Sequence, residues 1–288
     1  MKILVEILKG ILIGVANVIP GLSGGTIAIA MGVYEKIIYV INNIFKEPKK
    51  CIKEMWTYIV GLILGVGISV FGIVYLFNVA PVPTSMLFVG LIIGSLPTIK
   101  EKLGTDKLKI VDYIVFTVLA MLIIFMPIVA TETTTTITTS VKDLIIMFFM
   151  GMLASATMII PGVSGSMMLM IFGYYTSIMS TISECIKLLM TFKIGECFMT
   201  ALPIIPFAIG IIVGIFVMAK LIEILLKKYH TVVYWGIMGL IVASPFPMIL
   251  QLEMHNISIW QAILSAVLLA GGIYATKLLS KVEEESEK

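Results

Sequence analysis

The chain contains no arginine: all 20 of its basic residues are lysines. No guanidinium fork is therefore available to hold a carboxylate or phosphate in two-point geometry. Charge of either sign is scarce, at 13% of 288 residues with a net charge of +3, and the lysines fall in short clusters between apolar runs. This pattern excludes the basic footprint of a nucleic-acid binder. The three cysteines, Cys51, Cys185 and Cys197, show neither metal-ligand spacing nor a CxxC redox motif. No metal and no cofactor is expected.

What the chain has in abundance is apolar length. It is 59% hydrophobic with a mean hydropathy of +1.11, which is too apolar for a soluble domain and enough for several membrane spans. The start, MKILVEILKGILIG, has the look of a signal peptide, but Glu6 and Lys9 interrupt it and its continuation recurs later in the chain. It is read as structure. That recurrence is the most informative feature: residues 10–38 and 151–179 match at ten of twenty-nine positions around a shared I-P-G-x-S-G. Gly90 to Ser95 (GLIIGS) and Gly61 to Gly65 (GLILG) are echoed by GLIVAS from Gly239 and GIIVG from Gly210. The chain therefore reads as a duplication, with repeats over 1–130 and 142–281, a Thr-rich linker at 131–141 and a charged tail at 282–288.

Short cytoplasmic loops carry the excess of positive charge. Lys46, Lys49, Lys50 and Lys53 mark one inside loop, Lys100, Lys102, Lys107 and Lys109 another, and the Lys220, Lys227 and Lys228 region is also inside. Both termini then fall on the cytoplasmic side, the Thr tract falls outside, and the halves are inverted relative to each other. Lys187 and Lys193 fall outside against this rule, offset by Glu184 and Glu196. The arm from Ile3 to Ile19 reaches only about 25 Å, short of a hydrocarbon core of roughly 30 Å. The sequence thus predicts an all-α integral membrane protein with an inverted-topology repeat, about six full spans and two re-entrant hairpins. Their tips lie near 19–26 and 160–167, at Pro20-Gly21 and Pro161-Gly162. Short segments interrupted by Gly and Pro at matching places of inverted halves point to a transporter's binding site.

Each tip places free backbone N–H groups and hydroxyls at the start of a helix, an arrangement that favours anions. The candidate phosphate-binding residues are Gly21, Ser23, Gly24, Gly25 and Thr26 in the first copy, and Gly162, Ser164, Gly165 and Ser166 in the second. Glu35, Lys36 and Lys9 are candidates for coupling or charge balance, because ionisable groups in membrane segments are functional by default. The alternatives are that Glu35 and Lys36 only snorkel to the interface and that the small residues are helix-packing devices. GLSGG at Gly21–Gly25 fits the G-x-S-x-G pattern of serine hydrolases, but GVSGS in the second copy breaks it. The two histidines, His230 and His255, fall on opposite sides of the membrane, and no phosphate-loop lysine follows the glycines. No catalytic residue is assigned and the chain reads as a non-enzyme.

The paired motifs NVIPGLSGGTIAIAMGVYEKI and MIIPGVSGSMMLMIFGYY resemble the signatures of the PopT family of prokaryotic membrane proteins, over essentially the whole chain. The resemblance implies a transporter that moves undecaprenyl phosphate or a related polyprenyl phosphate across the cytoplasmic membrane, so that cell-envelope polymer synthesis can reuse it. Its partners would be the carrier lipid and the bilayer, with a homo-oligomer left open. Ser166 and the Met run after it depart from the first motif and put equal donation by both tips in question. From the residues alone two further readings stand: a secondary transporter of a small soluble anion using the same tips, and a membrane protein with a structural role only.

Overall fold

The computed structural model describes residues 2–18, 23–69, 72, 74–103, 108–129, 135–250, 252 and 258–287. Among them lie fifteen helices and no strand. The first half comprises α1 (Lys2–Val18), α2 (Gly24–Ala30), α3 (Tyr34–Asn43), α4 (Pro48–Ile68), α5 (Val74–Val79), α6 (Pro81–Lys102) and α7 (Ile110–Val129). The second comprises α8 (Val141–Ile159), α9 (Gly165–Ile171), α10 (Tyr175–Met190), α11 (Ile194–Ala201), α12 (Ile204–Lys228), α13 (His230–Ala243), α14 (Pro245–Leu250) and α15 (Ile259–Glu287). Pro20, Gly21, His255 and residues 131–134 lie outside the described residues.

Among the described residues, seven stretches are long and apolar enough to cross a membrane: α4, α6, α7, α8, α12, α13 with α14, and α15. Six correspond to the spans expected from sequence. The seventh, α8, was expected as a re-entrant arm, and the difference is one of length. Ser140 caps α8 by accepting the Asp143 N–H at 3.2 Å, which starts the helix at Val141. Its 19 residues reach about 28 Å, whereas the 17 of α1 reach about 25 Å. A second difference concerns α4, which begins with Pro48 in the first helical turn. Lys49, Lys50 and Lys53 therefore lie on helix, not loop.

The long helices pack in pairs. In the first half α1 lies along α4, and in the second α8 lies along α12. The remaining pairs cross between halves, α6 with α15 and α7 with α13. Lipid gives no hydrophobic drive between helices, so close approach depends on small residues. A Cβ added to Gly10 would sit 2.4 Å from the Tyr58 carbonyl oxygen, and one on Gly61 2.2 Å from that of Ile7. In the second pair, Gly151 and Gly210 would meet the carbonyls of Phe207 and Phe148 at 2.1 and 2.0 Å. The glycines repeated in the sequence are thus the crossing points of equivalent pairs.

The main core forms around α2. Ile27, Ala28, Ile29 and Ala30 are buried in one cluster with Phe88 and Ile92 of α6 and Ile237 and Ile241 of α13. By contrast, only Met167 and Leu169 of α9 are buried. Large apolar side chains face outward along α4, α7 and α15, including Ile63, Phe125 and Val267. Bulk lipid is the natural neighbour for such faces.

Candidate functional site

The two motif segments are built alike. Ser23 and Ser164 are the extended residues that precede α2 and α9, at φ, ψ of −104, 129 and −94, 125. Each short helix then ends at a glycine in the left-handed region, Gly32 at φ 72 and Gly173 at φ 74, before α3 or α10 continues. Residues with a Cβ strongly disfavour that conformation, which explains why a glycine stands at this place in both copies. The axis turns by 115° between α2 and α3.

The tips touch. The Gly162 N–H donates to Thr26 Oγ1 at 2.7 Å, and the Tyr34 hydroxyl donates to the Ile159 carbonyl at 3.1 Å. An added Cβ on Gly25 would lie 3.1 Å from the Met158 carbonyl oxygen. Non-helical backbone is tolerated at membrane depth when protein encloses it, and here α2 covers part of the second tip at Gly162.

Beside this junction lies a cavity of about 460 Å³. Asn17, Ser23, Gly24, Ser164, Gly165 and Ser166 line its polar end. Met158, Leu169, Met170, Ile178, Phe207 and Ile211 contribute to its apolar wall. Among the described residues none of the lining side chains is charged. Ser23 is 6% exposed, and among the described residues its hydroxyl has no hydrogen-bond partner. Buried hydroxyls are nearly always paired, so an orphan lining a cavity calls for an explanation. Ser164 and Ser166 share a hydroxyl–hydroxyl bond of 2.8 Å.

Of the residues named from sequence, Ser23, Gly24, Ser164, Gly165 and Ser166 line this cavity, while Thr26, Gly25 and Gly162 form the junction behind it. Gly21 lies outside the described residues. The three ionisable candidates stand elsewhere. Lys9 is 1% exposed and donates to the Met31 carbonyl at 2.8 Å, at the C-terminal end of α2. Glu35 pairs with Lys102 at 2.8 Å and accepts the Tyr234 hydroxyl. Lys36 places its ammonium 4.9 Å above the Tyr58 ring and lines a separate cavity of about 380 Å³ with Glu6, Lys50, Lys53 and Glu54. Consecutive helix residues point about 100° apart, which sends Glu35 and Lys36 to different partners. Sequence reasoning did not single out Asn17, although a helix-disfavoured polar residue just ahead of the motif in an apolar run was a signal for it. Nothing in the sequence pointed to Tyr234 or Lys102 as partners of Glu35.

A multi-pass all-α membrane protein whose two interrupted motif segments meet beside a half-open cavity with hydroxyls and apolar side chains in its lining has the form of a membrane transporter. The chain belongs to the undecaprenyl phosphate translocase-like family, whose model matches residues 13–251. It is 30% identical to the polyprenyl-phosphate transporter of Staphylococcus aureus (strain NCTC 8325), with 98% of each chain covered. It is also 26% identical to the polyprenyl-phosphate transporter of Vibrio cholerae serotype O1, over 85% of this chain and 77% of that protein. No solved structure matches the chain. The family resemblance carried by the paired motifs therefore holds.

Proposed function

We propose that the protein is a polyprenyl-phosphate transporter of the prokaryotic cytoplasmic membrane, not an enzyme, and that the cavity between the tips receives the phosphate headgroup. The observation that carries this reading is the buried, unpartnered Ser23 hydroxyl at the polar end of a cavity whose other wall is apolar. A phosphate needs donors and a prenyl chain needs hydrocarbon, and this cavity offers both. The apolar wall favours the lipid over a small soluble anion. Because α2 and α9 have only seven residues each, hydroxyls and an amide supply the headgroup's partners more than any long helix dipole does.

The two faces of the junction differ. On the first-hairpin side, Glu35 is tied to Lys102 and Tyr234, and Asn42 donates to the Ala219 carbonyl at 3.0 Å. The cavity extends the other way, along α9 and α10, and reaches exposed Met170 and Met179. With the lysine-rich ends inside, the first hairpin closes the cytoplasmic side while the cavity faces the outer leaflet. Transport then consists of headgroup entry beside α10, loosening of the Glu35 ties, and release along α3, with the prenyl chain kept in lipid throughout.

The test is binding and transport by the double variant Ser23→Ala, Ser164→Ala in proteoliposomes containing polyprenyl phosphate. Each hydrogen bond to a charged group contributes about 1.5–3 kcal/mol, so loss of one such bond alone weakens binding at least about tenfold. Unchanged uptake by the double variant removes the hydroxyls from the mechanism. Equal competition by the neutral polyprenol shows that the cavity does not read the phosphate.

A further inference from the structure

We propose that Asn17 is a specificity-determining contact to the phosphate, and that Met158, its equivalent in the second copy, stands on the wall that receives the prenyl chain. The inference deepens the transporter reading and rests on it. Aligning the two repeated segments without gaps pairs Asn17 with Met158, and both residues line the same cavity. Duplication put one position on two walls, and the chemistry of the two copies has since diverged. One wall offers an amide and the other a thioether that packs against apolar groups.

Asn17 has hydrogen-bonding capacity to spare. One amide hydrogen goes to the Ile13 carbonyl, a turn back on α1, at 3.0 Å. Among the described residues the second amide hydrogen and the side-chain carbonyl have no partner, and Asn17 is exposed. The amide sits directly over Gly24: a Cβ added there would fall 2.3 Å from Nδ2 and 2.4 Å from Oδ1. Ser23, the residue before Gly24, lines the same cavity with its orphan hydroxyl, so two donors serve it. With no charged side chain among the described lining residues, these neutral donors must discriminate a phosphate from an alcohol. Met158, Leu169, Met170, Ile178 and Met179 present only hydrocarbon and thioether side chains to the same cavity. A cavity of about 460 Å³ suits a headgroup and the first isoprene units, not a whole polyprenyl chain.

The experiment measures binding of farnesyl phosphate and of farnesol to the full-length protein in nanodiscs by calorimetry. Asn17→Met, which gives the first copy the second copy's residue, weakens farnesyl phosphate about tenfold and leaves farnesol unchanged. Asn17→Asp keeps the shape of the side chain and adds a negative charge, and it loses more than tenfold on the phosphate alone. Met158→Ala lowers both ligands in parallel. Retention of wild-type affinity for farnesyl phosphate by both Asn17 variants overturns the proposal, as does an equal loss of farnesol. If the wild-type protein binds farnesyl phosphate no more tightly than farnesol, the headgroup site itself fails. A wild-type preference that survives both substitutions sinks only the role of Asn17.

Discussion

Ser23 and Thr26 stand three residues apart in one motif, and the fold turns their hydroxyls to different ends. Ser23 precedes α2 and lines the cavity with its hydroxyl unpaired; Thr26 is fully buried and accepts the Gly162 N–H at 2.7 Å. Thr26→Val keeps the volume but orphans a backbone donor inside the tip junction. The expected cost is about 1–3 kcal/mol of stability, read as a lower thermal midpoint in detergent, with Thr26→Ser much closer to wild type. Ser23→Ala breaks no hydrogen bond within the protein and leaves the midpoint where it was. A drop for Ser23→Ala equal to that for Thr26→Val would reverse the two roles. The sequence grouped both residues as anion donors because spacing reveals which groups lie near a helix start, but not which of them the other hairpin covers. That depends on contacts 136 residues apart. For the same reason Asn17, which belongs to the site through the cavity and not through the motif, was passed over.

Among the elements, the first hairpin is the one held at several points. Glu35 on α3 joins Lys102 at the end of α6 and Tyr234 on α13, and Tyr39, Glu47 and Lys50 form a second polar cluster between α3 and the start of α4. In the second copy Thr176 and Ser177 occupy the places of Glu35 and Lys36, and there the ties run to one residue, Thr135, whose carbonyl accepts from Ser177 and whose N–H donates to the Gly173 carbonyl. The Glu35 and Lys102 side chains are 49% and 38% exposed, so the ion pair contributes no more than about 1 kcal/mol to global stability. A tie of that size suits a gate that must open. Glu35→Gln is expected to speed amide exchange across α3 while shifting the thermal midpoint by less than the Thr26→Val change does. Unaltered exchange in residues 34–43 would show that other contacts hold this side shut. The helix breaks were legible in sequence because their breakers are local: Pro161 with Gly162 in the second copy, and Gly32 with Gly173 further along. The Glu35 pairing was not legible, since its partners sit 67 and 199 residues away.

For the whole molecule, hydropathy marked the spans well, but it says nothing about which span meets which. The close-packing glycines of α6, Gly90 and Gly94, pair with α15 of the other half, and Gly239 of α13 pairs with α7. Exchanging the halves maps each of these pairs onto the other, just as it maps α1 with α4 onto α8 with α12. We read this as support for a two-fold relation between repeats of opposite orientation, which would place the hairpins on opposite faces of one cavity. The proposed orientation across the membrane rests on the lysines alone, and single-cysteine labelling tests it directly. In a protein freed of Cys51, Cys185 and Cys197, Thr138→Cys ahead of α8 and Ser183→Cys on α10 should react with an impermeant maleimide on intact cells. Lys49→Cys at the start of α4 should react only after permeabilisation. Labelling of all three from one side would remove the inversion, and with it the assignment of the open face of the cavity to the outer leaflet. The reverse pattern, with Lys49→Cys reactive from outside, would keep the inverted halves and turn the cavity toward the cytoplasm.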